Sequence, residues 1–237
     1  MRKGRVEKGS GGVLPARQER SRETLARLLQ ATLRTLEDHG LDGATIPRIA
    51  RSAGVAPASV YRRFRDRDAL YRAAFMTTLE RSAEASQAAL QLDQFADASL
   101  DGVVSRLVEL TMAQYRAWPG LMRALTRFIE TDSDDDFRAR ALKIVTANAE
   151  RMITLLLTFH AEVKHPDARR AITFGLLTMA TIIEVHALEQ VSMWNELLPM
   201  SDADLHTEVT MNFLSYLRNG PVKTSKATNR KGRGRQQ

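Results

Sequence analysis

A chain of 237 residues with 43% hydrophobic content buries a good core yet leaves little room for more than one small module and one larger one. It contains no cysteine, which excludes disulfide staples, thiolate zinc sites and cysteine nucleophiles and suits a reducing compartment. The net charge of +7 is segregated: residues 1–22 carry seven basic groups against two acidic, 48–72 carry seven arginines against two aspartates, and 218–237 carry seven basic groups alone, so the remainder is about ten charges negative. A basic patch beside an acidic body suits approach to a polyanion in one orientation; solvated tails account for the two ends but poorly for the compact central cluster.

Residues 1–19 are rich in Gly, Lys and Arg without periodicity and read as a disordered basic arm. No apolar run there is long enough for a secretion signal or a membrane span, so a soluble, cytoplasmic protein with no membrane partner is expected. Helical order is predicted from near Arg20, where Leu25, Leu28, Leu29, Leu33 and Leu36 lay one apolar stripe along a helix that His39-Gly40 ends. Thr45 is placed to cap the next helix, with Ile46 and Pro47 in its first turn and Ile46, Ile49 and Ala50 facing inward. Gly54 suits a left-handed close, Val55 plugs a tight turn, and Pro57 restarts a helix from which Val60 and Phe64 point to the core and Ser59, Arg62 and Arg63 point outward. This is a helix-turn-helix.

The stretch Thr45-Ile-Pro-Arg-Ile-Ala-Arg-Ser-Ala-Gly-Val-Ala-Pro-Ala-Ser-Val-Tyr-Arg-Arg-Phe64, followed by Arg65-Asp-Arg-Asp-Ala-Leu70, resembles the tetracycline-repressor (TetR) family of transcriptional regulators over roughly Arg20 to Met76. The resemblance implies an all-α homodimer. It further implies a three-helix DNA-binding head (20–80) joined by a linker helix to a helical effector-binding and dimerisation body (81–218), and a disordered basic tail is expected at 219–237. Carried over position by position, it implies phosphate contacts from Thr45, Arg48, Tyr61, Arg63 and Arg67, which fix register, and base contacts from Pro57, Ala58, Ser59 and Arg62. Arg62 has the fork for a bidentate contact with guanine O6 and N7. Ala56 and Pro57 depart from the family's more polar residues there, costing a cap and a contact, so sequence preference does not transfer. Singly, Tyr61 packing on the first helix and Arg48, Arg51 or Arg65 as solvated surface are the competing readings. For Arg2, Lys3, Arg5 and Lys8, a solvated tail competes with entry into a minor groove.

Asp66 is predicted to cap a fourth helix running through Leu70, Ala74 and Leu79 toward Leu90. Five more helices follow at about 98–117, 120–130, 136–160, 167–190 and 203–217, with no strand pattern. Thr131-Asp-Ser-Asp-Asp-Asp136 suits a loop and a helix N-terminus; a calcium loop would need a glycine and spaced ligands. Tyr115, Trp118, Met122, Phe128, Met152, Phe159, Phe174 and Met179 are either core or, under the resemblance, the wall of a pocket for a hydrophobic effector. Apolar faces at Phe174, Leu177, Ile182 and Val185 and at Val209, Phe213 and Leu217 belong either to an intersubunit four-helix bundle or to one subunit's own core. No glycine-rich phosphate loop, nucleophile elbow or His-Glu-x-x-His is found, so no enzyme, cofactor or metal is expected; His186, Glu189 and His206 are the only loose candidates. The expected partners are a palindromic duplex, a second copy and a small effector. An architectural or activating DNA binder without effector control is the alternative.

Overall fold

The computed structural model describes residues 14–95, 97–188 and 192–219. The basic segments expected at the two ends fall largely outside these residues, as does Glu189. The described residues are helical, without a strand: α1 (Leu14–Gly43), α2 (Ile46–Ala53), α3 (Pro57–Tyr61), α4 (Arg67–Ala89), α5 (Leu100–Ala117), α6 (Pro119–Thr131), α7 (Asp135–Leu157), α8 (Ala168–Leu188), α9 (Met193–Leu197) and α10 (Asp202–Asn219). Single 3-10 turns lie at Leu92–Phe95 and His160–Glu162. Two features depart from the sequence reading. Helix α1 begins at Leu14 rather than near Arg20, because residues 18–23 are all exposed and carry no apolar signal. The short α9 has no long periodic stripe and is held at its start by Ser192, whose Oγ accepts from the Trp194 amide at 3.1 Å.

The described residues form two compact units. The first contains the residues up to Ala89, Ala113–Asn148 and a few residues from Ala187 onward. Its core gathers Leu28, Leu36, Ile49, Val60, Leu70, Tyr71 and Phe75 with Leu121, Leu125, Phe128 and Phe137, so α6 and the start of α7 complete the core of the helix-turn-helix. An aromatic cluster forms its centre: Phe128 stands 5.8 Å from Tyr71, 5.3 Å from Phe75 and 5.6 Å from Phe137, centroid to centroid, within the favourable range for tilted and edge-to-face rings. The Tyr71 hydroxyl donates to the carbonyls of Leu41 and Ala44, which ties α4 to the turn before α2, and burial pushes its pKa up to about 12.

Two polar contacts fasten α4 and α1 to α6. Asp132, buried at the end of α6, receives Arg72 Nε at 2.6 Å and Nη2 at 2.5 Å, and Asp134 lies 3.6 Å from Arg72 Nη1. Hydrogen bonds from Arg72 hold the Asp132 carboxyl below its ordinary value and raise Arg72 in turn. The acidic cluster therefore serves as an ion-pair partner and, through Asp134 Oδ1 accepting from the Phe137 amide at 2.8 Å, as a cap for α7. At the other end of α6, Glu37 Oε2 of α1 accepts from the Leu121 amide at 2.6 Å, a carboxylate at a helix N-terminus.

The second unit contains Leu90–Met112, Ala149–His186 and the described residues from Ser192 onward. Leu100, Leu107, Leu155, Leu156, Ile172 and Ile183 are fully buried there. The ring of Phe213 on α10 lies against Gly175 of α8, where a Cβ would fall 1.9 Å from Cε2. Val209, Phe213 and Leu217 are buried inside this unit, so the apolar face of α10 joins its own subunit's core. On α8 the outcome differs: Phe174 is 47% and Leu177 60% exposed, with Ile182 and Val185 half-buried. By length and composition α8 alone, among the described residues, is apolar enough to cross a membrane, and 44% of that stretch is buried.

Candidate nucleic-acid interface

The interface is built on backbone geometry that the local sequence dictates. Pro47 and Pro57 sit in the first turns of α2 and α3, where a missing N–H costs nothing. Gly54 closes α2 at φ 67°, ψ 35°, its amide bonding Arg51 O and the Val55 amide bonding Ala50 O at 3.0 Å. A Cβ at Gly54 meets no neighbour, so the cost of Gly54→Ala is the left-handed backbone alone: about 1 kcal/mol of stability, checked by urea unfolding. Thr45 and Ala56 occupy the N-cap positions in extended conformation, and neither side chain caps. The expected Thr45 hydroxyl cap is thus not made, which leaves that hydroxyl at an exposed helix start.

On this frame Val60 is fully buried and Phe64 half-buried, while Thr45, Arg48, Pro57, Ala58, Tyr61, Arg62, Arg63 and Arg67 are exposed and Ser59 is half-buried. Tyr61 is 58% exposed and does not pack into the core; an exposed aromatic phenol at the end of α3 is free to meet an external partner. Several arginines are held in place. Arg48 Nη1 donates to Gly43 O at 2.6 Å, Arg62 Nη2 to Ser59 Oγ at 2.7 Å, and Arg67 lies 5.4 Å above the Tyr71 ring while its Nε is 3.4 Å from Asp68. Arg63 spans α3 and α1, donating to Ser59 O and Ser21 Oγ at 3.4 Å each. Asp66 caps α4 by accepting from the Ala69 amide at 2.7 Å, a bond that with Arg65 lowers its pKa. The sequence reading missed the Ser21–Arg63 link, 42 residues apart, which leaves no local signal; the Ser59–Arg62 pair was legible in its i, i+3 spacing.

The eight residues expected around an effector divide between the two units. Phe128 belongs to the aromatic core of the first unit, where Tyr115, Trp118 and Met122 also lie, Trp118 being 44% exposed. Met152, Phe159, Phe174 and Met179 lie in the second unit, with Met179 buried and Phe174 outward against Tyr216 at 5.2 Å. An apolar groove of about 280 Å³ in that unit is lined by Ile182, Val185, His186, Trp194, Leu198 and Met200, with others. His206 Nε2 sits 3.1 Å from Ser105 O and 3.3 Å from its Oγ, a clip between α10 and α5. No group of three or more His, Asp or Glu side chains is placed to hold a metal among the described residues.

Residues 28–74 match the family model described as bacterial regulatory proteins, tetR family. The matched residues contain the helix-turn-helix of α2 and α3. Solved structures extend the likeness in fold to most of the chain. A TetR family transcription regulator from Marinobacter aquaeolei VT8 is 19% identical, covers 84% of this chain and 98% of its own, and has a TM-score of 0.54. The transcriptional regulator FadR from Bacillus subtilis, in complex with stearoyl-CoA, is 15% identical with 83% and 99% covered and a TM-score of 0.58. A protein of unknown function from Rhodococcus sp. RHA1 is 21% identical with 82% and 95% covered and a TM-score of 0.63. Comparison with curated proteins returns no match. The matched residues and the helix-turn-helix of α2 and α3 support a DNA-binding transcriptional regulator.

Proposed function

We propose that the protein is a cytoplasmic, homodimeric repressor that sets two α3 helices in successive major grooves of a palindromic operator and leaves it when a small hydrophobic effector binds. The observation that carries the reading is the outer surface of α2 and α3, where Tyr61 and six arginines between Arg48 and Arg67 are exposed around a turn locked by Gly54. Thr45, Arg48, Tyr61, Arg63 and Arg67 hold phosphate, while Pro57, Ala58 and Ser59 let the backbone approach base edges and Arg62 reads guanine. The exposed α8 face around Phe174 and Leu177 supports pairing with a second copy, whose half-site spacing of about 34 Å then sets operator geometry. The domain division proposed from the sequence is a head at 20–80, a body at 81–218 and basic segments beyond, with α6 and the start of α7 packing on the head.

Effector control is supported by the likeness in fold to FadR, which binds stearoyl-CoA, and by the apolar residues of the second unit. An effector that favours one separation of the two α3 helices shifts the population away from the DNA-binding arrangement. Tyr61→Phe removes one hydroxyl contact to phosphate and is expected to weaken binding about fivefold for every duplex sequence alike, measured by fluorescence anisotropy. A panel of amphipathic and small polar compounds added to the protein–operator complex tests the rest. Release by acyl chains or other apolar molecules is expected, and release by small polar molecules alone contradicts a hydrophobic effector.

A further inference from the structure

We infer that Ser59 positions Arg62 for base reading and does not itself read a base. The inference rests on the base-reading role proposed for α3. Arg62 stands exposed at the C-terminal cap of a helix only five residues long. Its guanidinium donates from Nη2 to Ser59 Oγ at 2.7 Å. Ser59 is the better anchored partner: it is half-buried, and its carbonyl accepts from Arg63 Nη1, whose other nitrogen reaches Ser21 on α1. The chain Ser21–Arg63–Ser59–Arg62 thus runs from the supporting helix to the reading side chain.

The chemistry fits positioning. A guanidinium has five N–H donors in a fixed fork, so one Nη2 hydrogen spent on Ser59 leaves the second, with Nη1, for guanine O6 and N7. An arginine already held loses less freedom when it docks. The restraint carries weight here because Ala56, Pro57 and Ala58 offer no polar side chain at the front of α3, which leaves Arg62 as its polar reader.

The test compares full-length wild type, Ser59→Ala, Ser59→Thr, Arg62→Ala and the Ser59→Ala/Arg62→Ala double variant, each with its helical content checked by circular dichroism. Sequences are selected from a random duplex pool, and relative affinities are then measured for each base substitution in a half-site. Ser59→Ala is expected to relax discrimination by about threefold to tenfold at the one base position that Arg62→Ala also relaxes. The double variant is expected to match Arg62→Ala, and Ser59→Thr, which keeps the hydroxyl, to restore preference. If Ser59→Ala changes a different position additively with Arg62→Ala, or leaves preference unchanged or sharper, the positioning role is overturned while base reading by α3 stands. If Arg62→Ala alters no position, base reading by Arg62 falls, and the role of Ser59 with it.

Discussion

Asp132→Asn is expected to cost the first unit about 3 kcal/mol of stability, the scale of removing one partner from a buried ion pair. The side chain of Asp132 is 3% exposed and that of Arg72 17%, so the substitution leaves a guanidinium in a poorly solvated place with Asp134, at 3.6 Å, as its remaining ion-pair partner. Trp118 fluorescence during urea unfolding, in a Trp194→Phe background, reports this unit alone, since these are the chain's two tryptophans. The loss has a defined pH dependence. The folded Asp132 carboxyl lies below its ordinary value of 3.8, so its contribution is complete above that value and disappears as pH falls through the lower, folded one. The gap between wild type and Asp132→Asn is therefore constant above about pH 5 and closes below about pH 4. A gap that persists into strong acid contradicts the ion-pair account.

Gly120→Ala is expected to destabilise the same unit by about 2 kcal/mol despite alanine's better helix propensity. A Cβ at Gly120 would lie 2.2 Å from the Glu37 carbonyl oxygen and 3.0 Å from its carbonyl carbon, so backbone, not a flexible side chain, stands in the way. Helices α1 and α6 must separate, which also stretches the Glu37–Leu121 bond. Because α1 supports the helix-turn-helix core, the variant is expected to lose affinity for DNA together with stability. Glu37→Gln, which keeps the shape and a weaker acceptor, is expected to cost less than half as much by the same fluorescence measurement. A Gly120→Ala protein as stable as wild type contradicts the close approach.

Both contacts lie beyond what the sequence makes legible, for a physical reason. Arg72 and Asp132 are 60 residues apart and Glu37 and Leu121 are 84 apart, so their pairing depends on how finished helices pack. The helix-turn-helix is different. Gly54, Pro57, Val60 and Phe64 act within one turn of their own backbone, and their roles follow from φ values, missing donors and helical period. The Asp66 cap was legible for the same reason. Residue type alone did not assign Phe128: an aromatic side chain suits a ligand wall or a core equally well, and here it meets Tyr71, Phe75 and Phe137. The apolar faces of α8 and α10 looked alike in periodicity, yet Phe213 is buried against Gly175 and Leu177 is exposed. Periodicity marks a face as apolar without saying what covers it.

Selection of bound sequences from a random duplex pool by the purified protein, at two salt concentrations, tests the regulator reading most directly. The account predicts an enriched palindrome whose half-sites are about one helical turn apart and whose preference survives at the higher salt. Binding that fades with salt and enriches no sequence would contradict it, leaving a basic surface that holds DNA without reading it.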